Sequence, residues 1–143
     1  MKAIDEAKYI INKCTKDEHP ISNLQLQKIL YYIQVAFLQK LGFPCFDDPI
    51  EAWKFGPVVS TVYYYYRHYS SLPIEITYLT EELPCLEKKQ KELIDRIVNE
   101  KREKYVWDLV TDTHAKNTAW FVIYKNGSGA GKEIPLEVLQ SNG

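Results

Sequence analysis

The stretch from Ser22 to Pro44 carries a helical pattern bounded at both ends, and no other part of the sequence limits the fold as tightly. Ser22 and Gln25 form a Ser-x-x-Gln box, in which the hydroxyl accepts from the first turn of a helix and the amide reaches back to the cap. Leu26, Ile29, Leu30, Ile33, Phe37 and Leu41 follow at helical spacing. Gly42 and Pro44 then supply a left-handed cap and a breaker. A helix of this length is the natural axis of a small domain.

The flanking segments read as shorter helices. Ile4, Ala7, Ile10, Ile11 and Cys14 predict a helix over about residues 3–13, followed by a polar loop from Thr15 to Pro20. Leu86, Gln90, Leu93, Ile94, Ile97 and Val98 predict another, with Glu87–Lys91, Glu92–Arg96 and Glu100–Lys104 as i,i+4 pairs on its solvated face. Tyr105–Asp112 adds a further helix or a continuation. Thr118–Tyr124 reads as a short buried helix, Asn126–Gly131 as a flexible loop, and Pro135–Leu139 as a last helical turn. Ile50–Phe55 alternates weakly, as a short strand or extended segment does, and Ile74–Tyr78 alternates in the same way.

Val58 to Tyr66 sets two rules against each other. Its residues are strand formers by propensity. The Gly56-Pro57 entry suits a helix start, however, and Val58, Val62, Tyr65, Tyr66 and Tyr69 make one helical stripe. The stripe predicts a helix over about residues 57–69, with a strand from Val58 to Tyr66 as the rival. Tyr63–Tyr66 covers every side of one helical turn, so some of these rings must be exposed or lie in an interface, because a surface helix buries only a stripe. The expected fold is mainly α: a single compact helical domain over residues 1–143 around a long central helix, with at most a small β-hairpin.

Composition narrows the functional classes. The chain has 143 residues with 18 Lys+Arg and 19 Asp+Glu, for a net charge of −1. Gripping nucleic acid needs a basic surplus or a basic face, so this balance disfavours that role. Aromatic residues make up 13%, including 11 Tyr, which suits a protein with interface anchors. Cys14, Cys45 and Cys85 are odd in number and widely spaced, without a CxxC or CxH pair. That pattern disfavours a zinc site or a disulfide framework and fits reduced thiols in the cytoplasm. The acidic start Asp5-Glu6 disfavours a signal peptide, and the chain has no apolar run long enough to cross a membrane. No cofactor or metal site is expected.

Three candidate chemistries fall short. The run Gly127-Ser128-Gly129-Ala130-Gly131-Lys132-Glu133 has Asn126 where a phosphate loop needs Gly, and Glu133 where it needs the hydroxyl that holds Mg²⁺. His114 with Asp108 or Asp112 can be written as a general base and its orienting carboxylate, but no Ser or Cys sits in a nucleophile-elbow setting. A DNA-binding helix-turn-helix joins its helices by 3–4 residues, whereas the first two helices here are joined by the longer stretch from Cys14 to Ser22.

Three segments together resemble a known family. Leu26-Gln27-Lys28-Ile29-Leu30-Tyr31-Tyr32 resembles its LQKLLYF helix. Glu51-Ala52-Trp53-Lys54-Phe55-Gly56-Pro57-Val58-Val59, with Tyr63 soon after, resembles its EAWxxGPVxxxVY segment. Leu109, Thr113-His114 and Trp120 resemble its L-x-x-x-TH-x-x-x-PW segment. The family is the Panacea antitoxin domain, also called SocA-like or phage-associated GepA-like, and the match runs best over residues 22–120. Ala119 stands where the family has proline, and Lys101-Arg102-Glu103-Lys104 stands where it has a glycine-containing break.

The resemblance implies a mainly helical, non-enzymatic module. Such a module neutralises a cognate toxin by direct contact, in one branch by delivering it to a protease, and is often carried by phages and mobile elements. Carried over residue by residue, it makes Gly56 and Pro57 a structural turn. It makes Lys28, Trp53, His114 and Trp120 candidates for a polar–aromatic pocket. Tyr63 and Tyr64 join them as candidate partner contacts. The alternatives are a small enzyme using His114 with Asp108 or Asp112, or a DNA-binding regulator.

Overall fold

In a computed structural model that describes residues 1–143, helices α1 (Ala3–Lys16) and α2 (Asn23–Lys40) lead the chain. The expected capping box forms. Ser22 Oγ accepts from the Gln25 amide at 3.3 Å, and the Ser22 amide donates to Gln25 Oε1 at 2.9 Å. The expected stripe, from Leu26 to Phe37, is buried. Much of the rest of α2 is buried as well, because Gln27, Lys28, Tyr31 and Gln34 are all covered, while the edge of Gln25, Tyr32, Ala36 and Gln39 stays at least partly open. A helix buried on most of its sides is an axis with the rest of the chain wrapped around it.

The wrapping elements are the hairpin β1 (Glu51–Trp53) and β2 (Gly56–Val58), then α3 (Ser60–Tyr66), α4 (Lys88–Lys101), α5 (Val106–Thr113), α6 (Ala119–Tyr124) and α7 (Leu136–Asn142). Helix α2 touches α1, α3, α4, α5, α7 and β2. The strands pair antiparallel, with Glu51 opposite Val58, Ala52 opposite Pro57 and Trp53 opposite Gly56. A third line of chain lies along the free side of β1. The Gly131 amide donates to Ala52 O and the Ile134 amide to Ile50 O, each at 2.7 Å, while the Ala52 amide donates to Lys132 O at 2.8 Å.

The polar residues buried on α2 hold backbone that would otherwise lose its partners. Gln34 Oε1 accepts from the Cys45 and Phe46 amides, and Gln34 Nε2 donates to Phe46 O. Gln27 Oε1 accepts from the Val59 amide, and Gln27 Nε2 donates to Asn23 Oδ1. Asn23 Nδ2 in turn donates to Tyr63 O. The entry to α3 therefore hangs on two amides one helical turn apart.

The tyrosine run is helical, as its stripe predicts, and not a strand, but the helix is shorter than expected. Gly56-Pro57-Val58 is strand, and the helix starts at Ser60 instead of residue 57. Pro57 lacks an N–H and is tolerated on the outer strand, where its carbonyl meets α2 instead of a further strand. The α-helix ends at Tyr66, and a 3-10 turn carries Arg67–Tyr69. Within the expected stripe Val62 and Tyr66 are buried, whereas Tyr65 is 54% exposed.

Ile74–Tyr78 does not form a strand. Ile74 bridges Ile21, and the amides of Ile76 and Tyr78 donate to Thr15 Oγ1 and Asn12 Oδ1 on α1. Side-chain acceptors take the role that a neighbouring strand would have played. The charges of α4 also pair differently. Lys91 reaches forward to Asp95 at 3.0 Å instead of back to Glu87, and Lys104 reaches Asp112 at 3.5 Å instead of Glu100.

Candidate functional site

The site is built outward from Gly56. Its φ of +111° is one that L side chains rarely adopt, and a Cβ there would stand 2.9 Å from both Lys28 Cε and Thr113 Oγ1. Glycine therefore lets the hairpin close onto α2 and the end of α5. Lys28 is fully buried, and its Nζ donates to Pro57 O at 2.9 Å. Burial penalises its ammonium form and pulls its pKa from 10.5 down to about 7.

The C-terminal half closes this cluster from the other side. The imidazole of His114 stacks on Trp120 with centroids 3.8 Å apart and planes 3° apart, and Trp120 stacks on Tyr124 at 4.5 Å. The Trp120 indole N–H donates to Trp53 O at 2.6 Å. Burial, with Lys28 nearby, lowers the pKa of His114. Its Nε2 is buried without a protein partner. Thr118 caps α6, next to the Ala119 that stands where the family has proline: its hydroxyl accepts from the Phe121 amide and shares its one proton between Thr113 O and Ala115 O, each 2.8 Å away.

Lys28, Trp53, His114 and Trp120 are thus brought together around Gly56 and Pro57. His114 stacks on Trp120, and Trp120 is bonded to the Trp53 backbone; of the four, Trp53 alone also lines one of the larger surface hollows. Asp112 turns away to Lys104, and His114 is placed against Trp120 and Lys28.

The open space lies on the other side of Trp53. A groove of about 370 Å³ is lined by Trp53 and Tyr63 together with Phe55 and Trp107, over a floor of Leu24 and Val58. Trp53 is held by its own N–H, which donates to Glu51 Oε1 at 2.8 Å, while Glu51 Oε2 accepts from Ser60 Oγ. Tyr63 packs edge-on against the Trp53 indole and Tyr64 lies tilted against it, at 5.0 and 5.9 Å between centroids. Tyr64 is 54% exposed, and Arg67 lies over its ring at 5.6 Å. Phe55 and Trp107, 49% and 46% exposed, meet edge to face at 5.8 Å.

Sequence reasoning missed Trp107, Lys54 and Arg67 in the groove, and Thr113 and Tyr124 behind it. Trp107 did leave a signal: it is a large aromatic residue two positions before the Leu109 of the third motif. Nothing in the sequence pointed to Phe55 as its partner, since the pairing depends on how α5 crosses the hairpin.

Fold and site together define a helical domain whose shared polar residues fasten a hairpin to a central helix and whose aromatic rings face outward beside it. The family model described as "Antitoxin SocA-like, Panacea domain" matches residues 26–121, and the chain belongs to that family. It is similar to Antitoxin SocA of Caulobacter vibrioides (strain NA1000 / CB15N), being 30% identical over 141 residues that cover 92% of this chain and 74% of that protein. No solved structure matches it. The three motifs fall inside the matched span. No helix is long and apolar enough to cross a membrane.

Proposed function

We propose that this chain is an antitoxin that neutralises a cognate toxin by direct protein contact, without chemistry of its own. The observation that carries this reading is the outward-facing aromatic surface of Trp53, Phe55, Tyr63, Tyr64 and Trp107, carried by the hairpin together with α3 and α5, with the hairpin locked to the central helix. Rigid aromatic rings supply contact area at low entropic cost, which favours protein recognition. In this reading Lys28, His114 and Trp120 hold the shape of the surface, Gly56 and Pro57 form its turn, and Trp53, Tyr63 and Tyr64 face the partner. The chain acts as one unit in the cytoplasm, encoded beside its toxin on a phage or other mobile element.

The test is co-expression. The open reading frame next to this one should arrest growth when expressed alone, co-expression of this chain should restore growth, and the two proteins should co-purify. A harmless neighbour, or rescue without a complex, would overturn the reading. Rescue that depends on a cellular protease would assign the chain the role of an adaptor, and rescue without one would assign occlusion.

A further inference from the structure

The groove beside Trp53 differs in charge from every other sizeable hollow on the molecule. Four further surface hollows each carry at least one carboxylate: Asp47, Asp48 and Glu133 in one, then Asp5, Glu100 and Glu92 in the others. The Trp53 groove has none, and carries Lys54 and Arg67 instead. Neither cation has an acidic partner within 4.0 Å. Each lies near an aromatic ring, Lys54 Nζ 5.6 Å from Phe55 and the Arg67 guanidinium 5.6 Å from Tyr64. In a chain with 18 basic and 19 acidic residues, a groove with only cations at its edge is a local departure from the average.

The interior of the groove asks for apolar contact. Half of its lining is apolar, the four rings with Leu24 and Val58, while Ser70 and Ser71 stand beside the two cations and the two amides in the rest. The two amides that reach it, Asn23 and Gln27, are already engaged with Tyr63 O, Val59 N–H and each other. They make no demand for a polar ligand. A space of about 370 Å³ takes a few side chains, the size of a short peptide anchor and not of a folded surface.

We infer that this groove receives a short acidic segment of the partner protein, with one aromatic or leucine anchor seated between Trp53, Phe55, Tyr63 and Trp107 and flanking carboxylates paired with Lys54 and Arg67. The inference rests on the antitoxin reading for the partner's identity, but not for the chemistry of the groove. Single-stranded nucleic acid also combines negative charge with stacking. It is disfavoured because two cations do not track a phosphate backbone, and because the rings meet edge to face, with Phe55 and Trp107 80° apart, instead of offering parallel platforms.

The test pans a phage-displayed library of random dodecapeptides on the folded full-length chain, with counter-selection on a Phe55→Ala/Trp107→Ala variant. The expected consensus is one Trp, Phe or Leu with Asp or Glu close on either side. A synthetic consensus peptide should bind at least about tenfold more weakly to that variant and to Lys54→Glu/Arg67→Glu. A peptide with Lys replacing the acids should prefer the charge-reversed variant to the wild type. All four side chains are exposed, and the charge reversal leaves the aromatic walls in place, so one variant remains informative if the other unfolds.

Failure to enrich any groove-dependent sequence, or a basic consensus, overturns the inference. So does tighter groove-dependent binding of a short oligothymidylate than of the peptide. The growth assay separates the two readings. Rescue that survives in both variants overturns the groove while leaving the antitoxin reading intact. Acidic-peptide binding beside a harmless neighbouring gene product supports the groove and overturns the antitoxin reading.

Discussion

The indole N–H of Trp120 donates to the backbone carbonyl of Trp53 across 2.6 Å, joining residues 67 positions apart. This bond ties α6 to the last residue of β1, so the stack of His114, Trp120 and Tyr124 braces the hairpin from behind while the face of the Trp53 side chain serves the groove. Trp120→Phe keeps an aromatic ring in the stack and removes the donor. Loss of a partly buried hydrogen bond with some loss of packing should cost on the order of 2 kcal/mol by chemical denaturation. The Trp53 environment should change with it, as a shifted fluorescence maximum. A variant as stable as the wild type would show that the brace does not matter.

Gly56 carries two separate demands, and a pair of substitutions separates them. Gly56→Ala places a methyl 2.9 Å from Lys28 and Thr113 in a backbone conformation unfavourable to L residues. Gly42→Ala meets the second problem only, since its φ is +81° and nothing lies within 4 Å. Gly42→Ala should cost about 1 kcal/mol, and Gly56→Ala on the order of 2–4 kcal/mol by adding overpacking to strain. Equal costs at the two sites would mean that the contact with Lys28 is soft.

Two buried ionisable groups give the stability curve a defined shape. Burial raises the Glu6 carboxyl from 4.5 to about 7, with the Cys45 thiol bond opposing and Asp95 reinforcing the rise. The folded state therefore holds a proton that the unfolded chain has released between those values, and stability falls as pH rises through that window. Lys28 does the reverse. Its amine is neutral in the folded state from about pH 7 upward but protonated in the unfolded chain up to 10.5, so stability rises across that range. Together they place a minimum near neutrality. Glu6→Gln should flatten the acid side, gaining up to about 3 kcal/mol relative to wild type between about pH 5 and pH 8. Lys28→Met should remove the rise above about pH 7. Parallel curves for wild type and both variants, from denaturant titrations across pH, would refute the assignment.

What could be read from the sequence was whatever depended on neighbours along the chain. The Ser22–Gln25 box, the α2 stripe and the Gly42 stop are local features, and all three stand as expected. The motif residues Lys28, Trp53, His114 and Trp120 also converge. Their role was harder to read: Lys28 looks like a site residue by type, yet its single acceptor is a backbone carbonyl delivered by a strand that propensity alone could not separate from a helix. The start of α3 was misplaced because Gln27 on another helix supplies the acceptor for the Val59 amide. The groove went unread because its walls come from α3, α5 and the hairpin, and its charge signature appears only when the hollows of the folded surface are set side by side.

The segment after α6 tests how local these features are. Lys125 and Asn126 have positive φ values of 50° and 56°, and the residues up to Ala130 are joined mainly by short-range turn bonds. Beyond them, the Gly131 and Ile134 amides donate to β1 at 2.7 Å, and Ala52 donates back to Lys132 O. Amide exchange follows the opening that frees each donor, so turn bonds that open locally exchange early and ladder bonds exchange late. Hydrogen exchange should therefore divide the segment sharply. Ser128 and Ala130 should exchange fast, as befits a mobile tip, whereas Gly131, Ile134 and Ala52 should exchange together at a rate close to that of the hairpin. Gly56→Ala, which loosens the hairpin, should speed all three in concert and leave Ser128 unchanged. Uniform fast exchange from Asn126 to Ile134 would show that this third line of chain is not held to the sheet in solution.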